Sequence, residues 1–147
     1  MGLSFEDFDP DRVFVSAERT IGAEDLASFA ALSGDSHPLH LDDEYARRSP
    51  FGRRIAHGAF VFSVSVGLTT AMDLVSDTLV AFYGVDRLRF VKPVYIGDIL
   101  RVEKRLAEKR ATGPHHGLVT FDTTVRNQDG QSVLTYRDTL LVKRRGV

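Results

Sequence analysis

The sequence has no cysteine and no tryptophan. Without thiols there can be no disulfide framework, no thiolate nucleophile and no cysteine-bound metal, and the chain is expected in the cytoplasm. An excess of one charge is also missing. Lysine and arginine total 19 against 20 for aspartate and glutamate, a net charge of -1, so there is no electrostatic ground for a nucleic-acid partner. The longest uncharged run, residues 58–72, holds Ser63, Ser65, Thr69 and Thr70 and falls short of the about 20 mostly apolar residues of a membrane span. No membrane association is expected. Residues 1–10 carry Glu6, Asp7 and Asp9 and lack the basic start and apolar centre of a signal peptide. No Gly-x-Ser-x-Gly elbow surrounds Ser33, Ser36 or Ser63, and no glycine-rich phosphate loop is present. The chemistry left open is water activation or proton transfer with no bound cofactor.

A chain of 147 residues reads as one domain, residues 1–147, able to bury roughly 68–70% of its unfolded surface. Val13-Phe14-Val15 predicts a short strand. Residues 23–33 place Leu26, Phe29, Ala30 and Ser33 on one helical face, with Glu24 and Asp25 in the first turn and Gly34 at the C-terminal cap. Residues 35–56, interrupted by Pro38 and Pro50, predict a loop with a helical turn near 43–48. Residues 58–72 predict a helix buried on nearly all sides. Strands follow over 78–90, 98–109, 118–127 and 132–143, with alternation in Leu100, Val102 and Leu106 and again in Val119, Phe121 and Val125, and with a hairpin turn at Asn127–Gly130. The fold class is α+β, an antiparallel sheet wrapped around one long helix.

Asp35-Ser36-His37-Pro38-Leu39-His40 and the later Ile55-Ala56-His57-Gly58 hold the candidate chemistry. Pro38 fixes its own φ and pushes His37 toward extended geometry, so Asp35 and His40 can face one pocket and bracket a water molecule. Asp35 as a turn former and His40 as a polar loop residue is the competing structural reading. Gly58 falls where a helix begins, and its N–H is free to face an oxyanion. His57 reads more simply as a cap bonding to backbone. Asp35, His37, His40 and Asp42 together offer metal-ligand atoms, but their spacing matches no helical zinc pattern, and no metal is expected. His115 and His116, beside Gly113-Pro114, read as solvated.

These residues resemble the MaoC-like dehydratase family, the R-specific enoyl-CoA hydratases of the hot-dog fold. The resemblance rests on Ser33-Gly34-Asp35, Pro38-Leu39-His40-Leu41-Asp42, Tyr45-Ala46, Phe51-Gly52 and Ile55-Ala56-His57-Gly58. It extends through Phe5-Glu6-Asp7-Phe8, Leu88–Val94 and Gly97-Asp98. It implies a hot-dog domain, at least a homodimer, and an acyl-CoA or acyl-carrier-protein thioester as substrate. It also implies hydration of a trans-2-enoyl thioester to the (R)-3-hydroxyacyl thioester, or the reverse dehydration. By resemblance Asp35 and His40 are the acid-base pair and the Gly58 N–H is the oxyanion donor, with His57 beside it. The division of proton transfers between Asp35 and His40 stays open.

Departures from the family pattern are His37 in place of the usual Asn, Ala59 after His-Gly, Phe60 and Phe62 as candidate pocket aromatics, and Val66 where some hydratases carry serine. Arg87, Arg89 and Lys92 are candidate contacts for CoA phosphates, with a solvated strand face as the simpler meaning. An acyl-CoA thioesterase and a non-catalytic acyl-thioester binding subunit are the competing functions.

Overall fold

The computed structural model describes residues 2–146. Two short strands, β1 (Val13–Val15) and β2 (Arg19–Thr20), lead into helix α1 (Ala23–Ser33). The ends of α1 are fixed as its sequence requires. The Gly22 N–H donates to the Asp25 carboxylate at 2.8 Å, and Gly34, at φ 83°, donates its N–H to the Ala30 carbonyl at 2.9 Å. Two short helices follow, α2 (Pro38–Leu41) and α3 (Asp43–Arg47), and then the long helix α4 (Gly58–Ala71). The rest of the chain is strand: β3 (Leu79–Phe90), β4 (Ile99–Ala111), β5 (His116–Arg126) and β6 (Ser132–Lys143).

The strands form one antiparallel sheet in the order β1-β4-β5-β6-β3, with β2 also on β4. Register is set by the hairpin at 127–131, where Asn127 Oδ1 accepts from the N–H groups of Asp129 and Gln131 and Gly130 takes φ 74°. β3 pairs with β6 alone, through three register shifts, and its other edge has no strand partner among the described residues. Leu79, Val80, Phe82 and Tyr83 are exposed there.

One side of α4 lies on the sheet. Phe60, Val61 and Val64 pack with Leu100, Val102, Val125, Leu134 and Tyr136, each such burial being worth about 1.5–3 kcal/mol. This is the hot-dog arrangement expected from the sequence. The expectation that α4 is buried on nearly all sides is corrected. Because the sheet covers only one side of the helix, Ala59, Ser63, Gly67 and Thr70 are exposed in this chain.

A second core cluster, Phe8, Phe14 and Phe121 in edge-on contact, sits under the far part of the sheet. It ties the two ends of the chain together. Lys109 Nζ donates to the carbonyls of Phe5 and Phe8, the Glu6 carboxylate accepts from Arg144 Nε and the Arg145 N–H, and Asp7 pairs with Arg145.

Beneath the C-terminal half of α4 the core is polar. Lys104, 1% exposed, donates to Thr123 Oγ1 at 2.8 Å and to Asp138 Oδ2 at 2.7 Å, while Thr123 donates to Asp138 Oδ1 at 2.6 Å. Burial pushes the Lys104 ammonium below its ordinary value, and the Asp138 carboxylate opposes that shift.

Candidate active site

The segment expected as a loop with one turn is two capped helices. His37 Nδ1 accepts the Leu39 N–H at 3.1 Å and Pro38 occupies the first helical position, so an imidazole here does the capping work of an asparagine or aspartate side chain. Asp42 Oδ1 then caps α3 through the Glu44 and Tyr45 N–H groups at 2.9 and 3.1 Å. Arg54, mostly buried, clamps the pair from behind. Its Nε donates to Asp43 at 2.8 Å and its Nη1 to the His40 carbonyl at 3.4 Å. These two caps and one clamp fix where His40 stands.

The orientation of His40 is set by backbone. Its Nδ1 lies 2.7 Å from the Ile55 carbonyl oxygen, and because a carbonyl only accepts, Nδ1 carries the proton. The lone pair is therefore on Nε2. Ile55 is itself fixed by a bridge to Tyr95, and the neighbouring Ala56 N–H donates to the Val94 carbonyl at 2.7 Å. His57, 1% exposed, donates from Nε2 to the Asp35 carbonyl at 2.9 Å, and its ring stacks on that of His40 with centroids 3.8 Å apart. This corrects the expectation of a cap: the His57 side chain makes no capping bond to α4 and instead reaches back to the residue after the Gly34 turn. Its Nδ1 is buried without a hydrogen-bond partner among the described residues. Burial pushes the imidazole below its ordinary value near 6.5, against the opposing pull of the Asp35 carbonyl, so His57 favours the neutral form.

Asp35, His40 and His57 bring one ligand-type atom each within 4.8 Å of one another. Asp35 is exposed, and its Oδ1 accepts the His37 N–H at 3.4 Å. The cluster invites comparison with a metal site. The two rings stack with planes 26° apart, and each commits one nitrogen to a backbone carbonyl, of Ile55 and of Asp35. The arrangement suits a water molecule held between a carboxylate and His40 Nε2.

Gly58 opens α4, where the first N–H groups lack intrahelical acceptors and the helix dipole is positive. A Cβ at this position would come within 2.7 Å of the Phe90 ring, so glycine lets Phe90 close against the helix start. Gly58, Ala59, Phe90 and Lys92 line a depression of about 560 Å³ with Phe51 and Val133. Of the three basic residues singled out in the sequence, Lys92 alone lines this depression. Arg87, at φ 55° in a β3 bulge, lines a different one with Glu108 and Arg137, and Arg89 donates to the Leu88 carbonyl. Phe60 packs into the core against Phe29 and Phe62 against Tyr136, so neither lines the depression. Sequence reasoning quoted Ile55 only as part of the Ile55–Gly58 string and missed Arg54; the two act through a backbone carbonyl and a backbone clamp.

A model of the MaoC like domain matches residues 7–128. The chain is 39% identical over 111 residues to Protein MaoC of Klebsiella aerogenes, covering 76% of this chain and 32% of that protein, so it spans about a third of that relative's length. It is 33% identical over 117 residues to the (R)-specific enoyl-CoA hydratase of Aeromonas caviae, covering 80% of this chain and 83% of that protein. The crystal structure of a MaoC-like dehydratase from Rhodospirillum rubrum superposes with a TM-score of 0.89 at 29% identity, covering 99% of this chain and 100% of that one.

Proposed function

This chain belongs to the MaoC-like domain family, and from that premise we propose that it adds water across the double bond of a trans-2-enoyl thioester, forming the (R)-3-hydroxyacyl thioester, and catalyses the reverse dehydration. The observation that carries the reading is the tautomer of His40. With Nδ1–H held by Ile55, His40 offers an acceptor nitrogen on the same few ångströms of surface as the Asp35 carboxylate. A water molecule has two hydrogens and can donate one to each. Its oxygen adds at Cβ as one proton is taken up, negative charge grows on the thioester oxygen, and a proton is returned to Cα to complete the addition. The Gly58 N–H faces the growing enolate charge without needing to reorganise. His57, neutral and stacked on His40, is a positioning residue that holds the ring and the Asp35 backbone together.

The substrate carrier in this reading is CoA, or an acyl carrier protein, with Lys92 at the mouth of the depression and Arg87 and Arg89 further along β3. The working unit is a cytoplasmic homodimer. The unpaired β3 edge and the open stripe on α4 support this, since an edge carrying Leu79, Val80, Phe82 and Tyr83 is a template for a second strand.

The test is a panel of 2-enoyl-CoA substrates followed by loss of the conjugated chromophore, with a thiol-reactive dye in the same cuvette. The cysteine-free chain gives the dye no background. Chromophore loss with a silent dye, unaffected by chelator, is expected. Thiol release at the same rate, from saturated acyl-CoA as well, would make the protein a thioesterase; binding with neither signal would make it a non-catalytic subunit.

A further inference from the structure

A second cavity, about 370 Å³, lies under the C-terminal half of α4 and is lined by Val66, Thr70, Leu79, Phe82, Lys104 and Tyr136, among others. Both long elements at the active site lead to it. Ala59, Ser63, Val66 and Thr70 follow the i, i+4, i+7, i+11 spacing of one helix face. Ala59 lines the Gly58 depression, while Val66 and Thr70 line the cavity, and Ala59 to Val66 is roughly 10 Å of helix at 1.5 Å per residue. On the sheet, Phe90 lines the depression and Phe82 the cavity, both on β3. The depression and the cavity thus lie in line along one face of α4 and along β3, the direction in which an acyl chain would extend from the Gly58 end.

The wall is mostly apolar, and of the polar side chains on it the Thr69 and Thr70 hydroxyls donate to the Ser65 and Val66 carbonyls of their own helix. Lys104 Nζ has three hydrogens, of which two reach oxygen partners, Thr123 and Asp138, among the described residues. Nearby, Ser65 donates its single hydroxyl hydrogen to the Phe62 carbonyl at 2.6 Å. The 2.7 Å contact between Ser65 and Tyr136 is therefore a donation from Tyr136. Tyr136 Oη is thus left as an acceptor, and Lys104 Nζ sits 5.8 Å from the Tyr136 ring centre. Lys104 thus keeps one hydrogen beyond its two oxygen partners, and Tyr136 keeps its acceptor oxygen, on the wall of one mostly apolar cavity. The Lys104–Asp138 pair is already neutral, so a further carboxylate would bury an uncompensated charge. A hydroxyl both donates and accepts without adding charge.

Resting on the hydratase reading, we propose that the preferred substrate is a 2-enoyl thioester whose acyl chain bears a hydroxyl group remote from the thioester, bound by Lys104 and Tyr136.

The experiment compares two matched enoyl-CoA substrates of medium length, one plain and one with a remote hydroxyl, by kcat/KM. The corresponding saturated acyl-CoAs are titrated by calorimetry, which reads affinity whether or not hydration occurs. The hydroxylated member is expected to be favoured at least about tenfold in both measurements, a factor that one buried hydrogen-bonding site readily supplies. Tyr136→Phe and the joint replacement Lys104→Met with Asp138→Leu are each expected to bring that ratio near one. The joint replacement leaves no orphaned charge. A folded protein that hydrates the plain substrate and shows no preference overturns the proposal and leaves the hydratase reading standing. A preference unchanged in a folded Tyr136→Phe variant also overturns it. Failure to hydrate any member of the pair, or crotonyl-CoA, overturns the hydratase reading instead, and the calorimetric ratio then decides the binding claim by itself.

Discussion

The two ends of α4 hold polar groups under opposite rules. At the N-terminal end Asp35 is exposed, His40 is part-buried, and each keeps an acceptor atom uncommitted while backbone carbonyls hold the rings. Toward the C-terminal end Lys104 and Asp138 are buried, and both carboxylate oxygens are occupied. In the proposed reaction Asp35 and His40 exchange protons with the substrate, and each is anchored through atoms that the reaction does not need. Inside the core the charge is matched instead: Asp138 has both oxygens occupied, and Lys104 keeps one hydrogen beyond its two oxygen partners.

The comparison predicts where each substitution does its damage. Lys104→Met alone should lower unfolding free energy by about 3–5 kcal/mol, because it leaves a carboxylate buried without its counter-charge. Denaturant midpoints of this variant and of the joint replacement with Asp138→Leu check it, the double variant regaining most of the loss. Equal losses in both would show that packing and not charge dominates there. Asp35→Asn and His40→Ala should each reduce turnover by at least roughly 10²-fold with a melting temperature close to that of the unmodified protein. Near-normal turnover with every substrate in the panel would remove Asp35 or His40 from the mechanism.

Gly58→Ala should reduce kcat/KM by roughly tenfold or more, through displacement of Phe90 beside the proposed oxyanion donor. A crystal structure of the variant with an unmoved ring would argue against that cause. A weaker effect follows from His57. Its folded-state value lies below the ordinary 6.5, so the unfolded chain binds the proton more readily. The stability contributed by neutral His57 is complete above about pH 6.5 and declines as pH falls below it. Chemical denaturation between pH 7.5 and 5 should show this decline, and His57→Gln should flatten it. Smallest of all is the tie between the chain ends, where the Arg144 hydrogen bond, helped by the Arg145 N–H, holds the Glu6 carboxyl down to about 2 from an ordinary 4.5. That contribution is present above pH 4.5 and fades toward pH 2, and Glu6→Gln should remove the fading in acid denaturation.

Much of the site could be read from the sequence because its parts are local. Gly34 caps α1, Asp35 leaves that cap, and Gly58 starts the long helix, each within a few residues of its cause. The turn expected near 43–48 is the helix at 43–47, whereas the helix at 38–41 was hidden because it is capped by a histidine, a residue outside the usual capping set. The partnership of His57 with Asp35 spans 22 residues and runs through a backbone oxygen, which no residue pattern records. Lys104 did leave a trace. It falls on the inward-facing beat between Val102 and Leu106, in register opposite Thr123, so the alternation that identified the strand also placed a lysine in the core. Its carboxylate partner, a strand away on β6, follows only from sheet order.

In the proposed homodimer, the edge of β3 that has no strand partner among the described residues makes folding a matter of mass action. With Leu79, Val80, Phe82 and Tyr83 left in water on a strand of 12 residues, an isolated chain keeps apolar surface that a second copy would cover. While the concentration stays above the dissociation constant of that pair, each tenfold dilution removes about 1.4 kcal/mol of apparent stability. Melting temperature should therefore climb with protein concentration, and the same sample that is robust in a crystallisation drop should become fragile at the nanomolar levels of an enzyme assay.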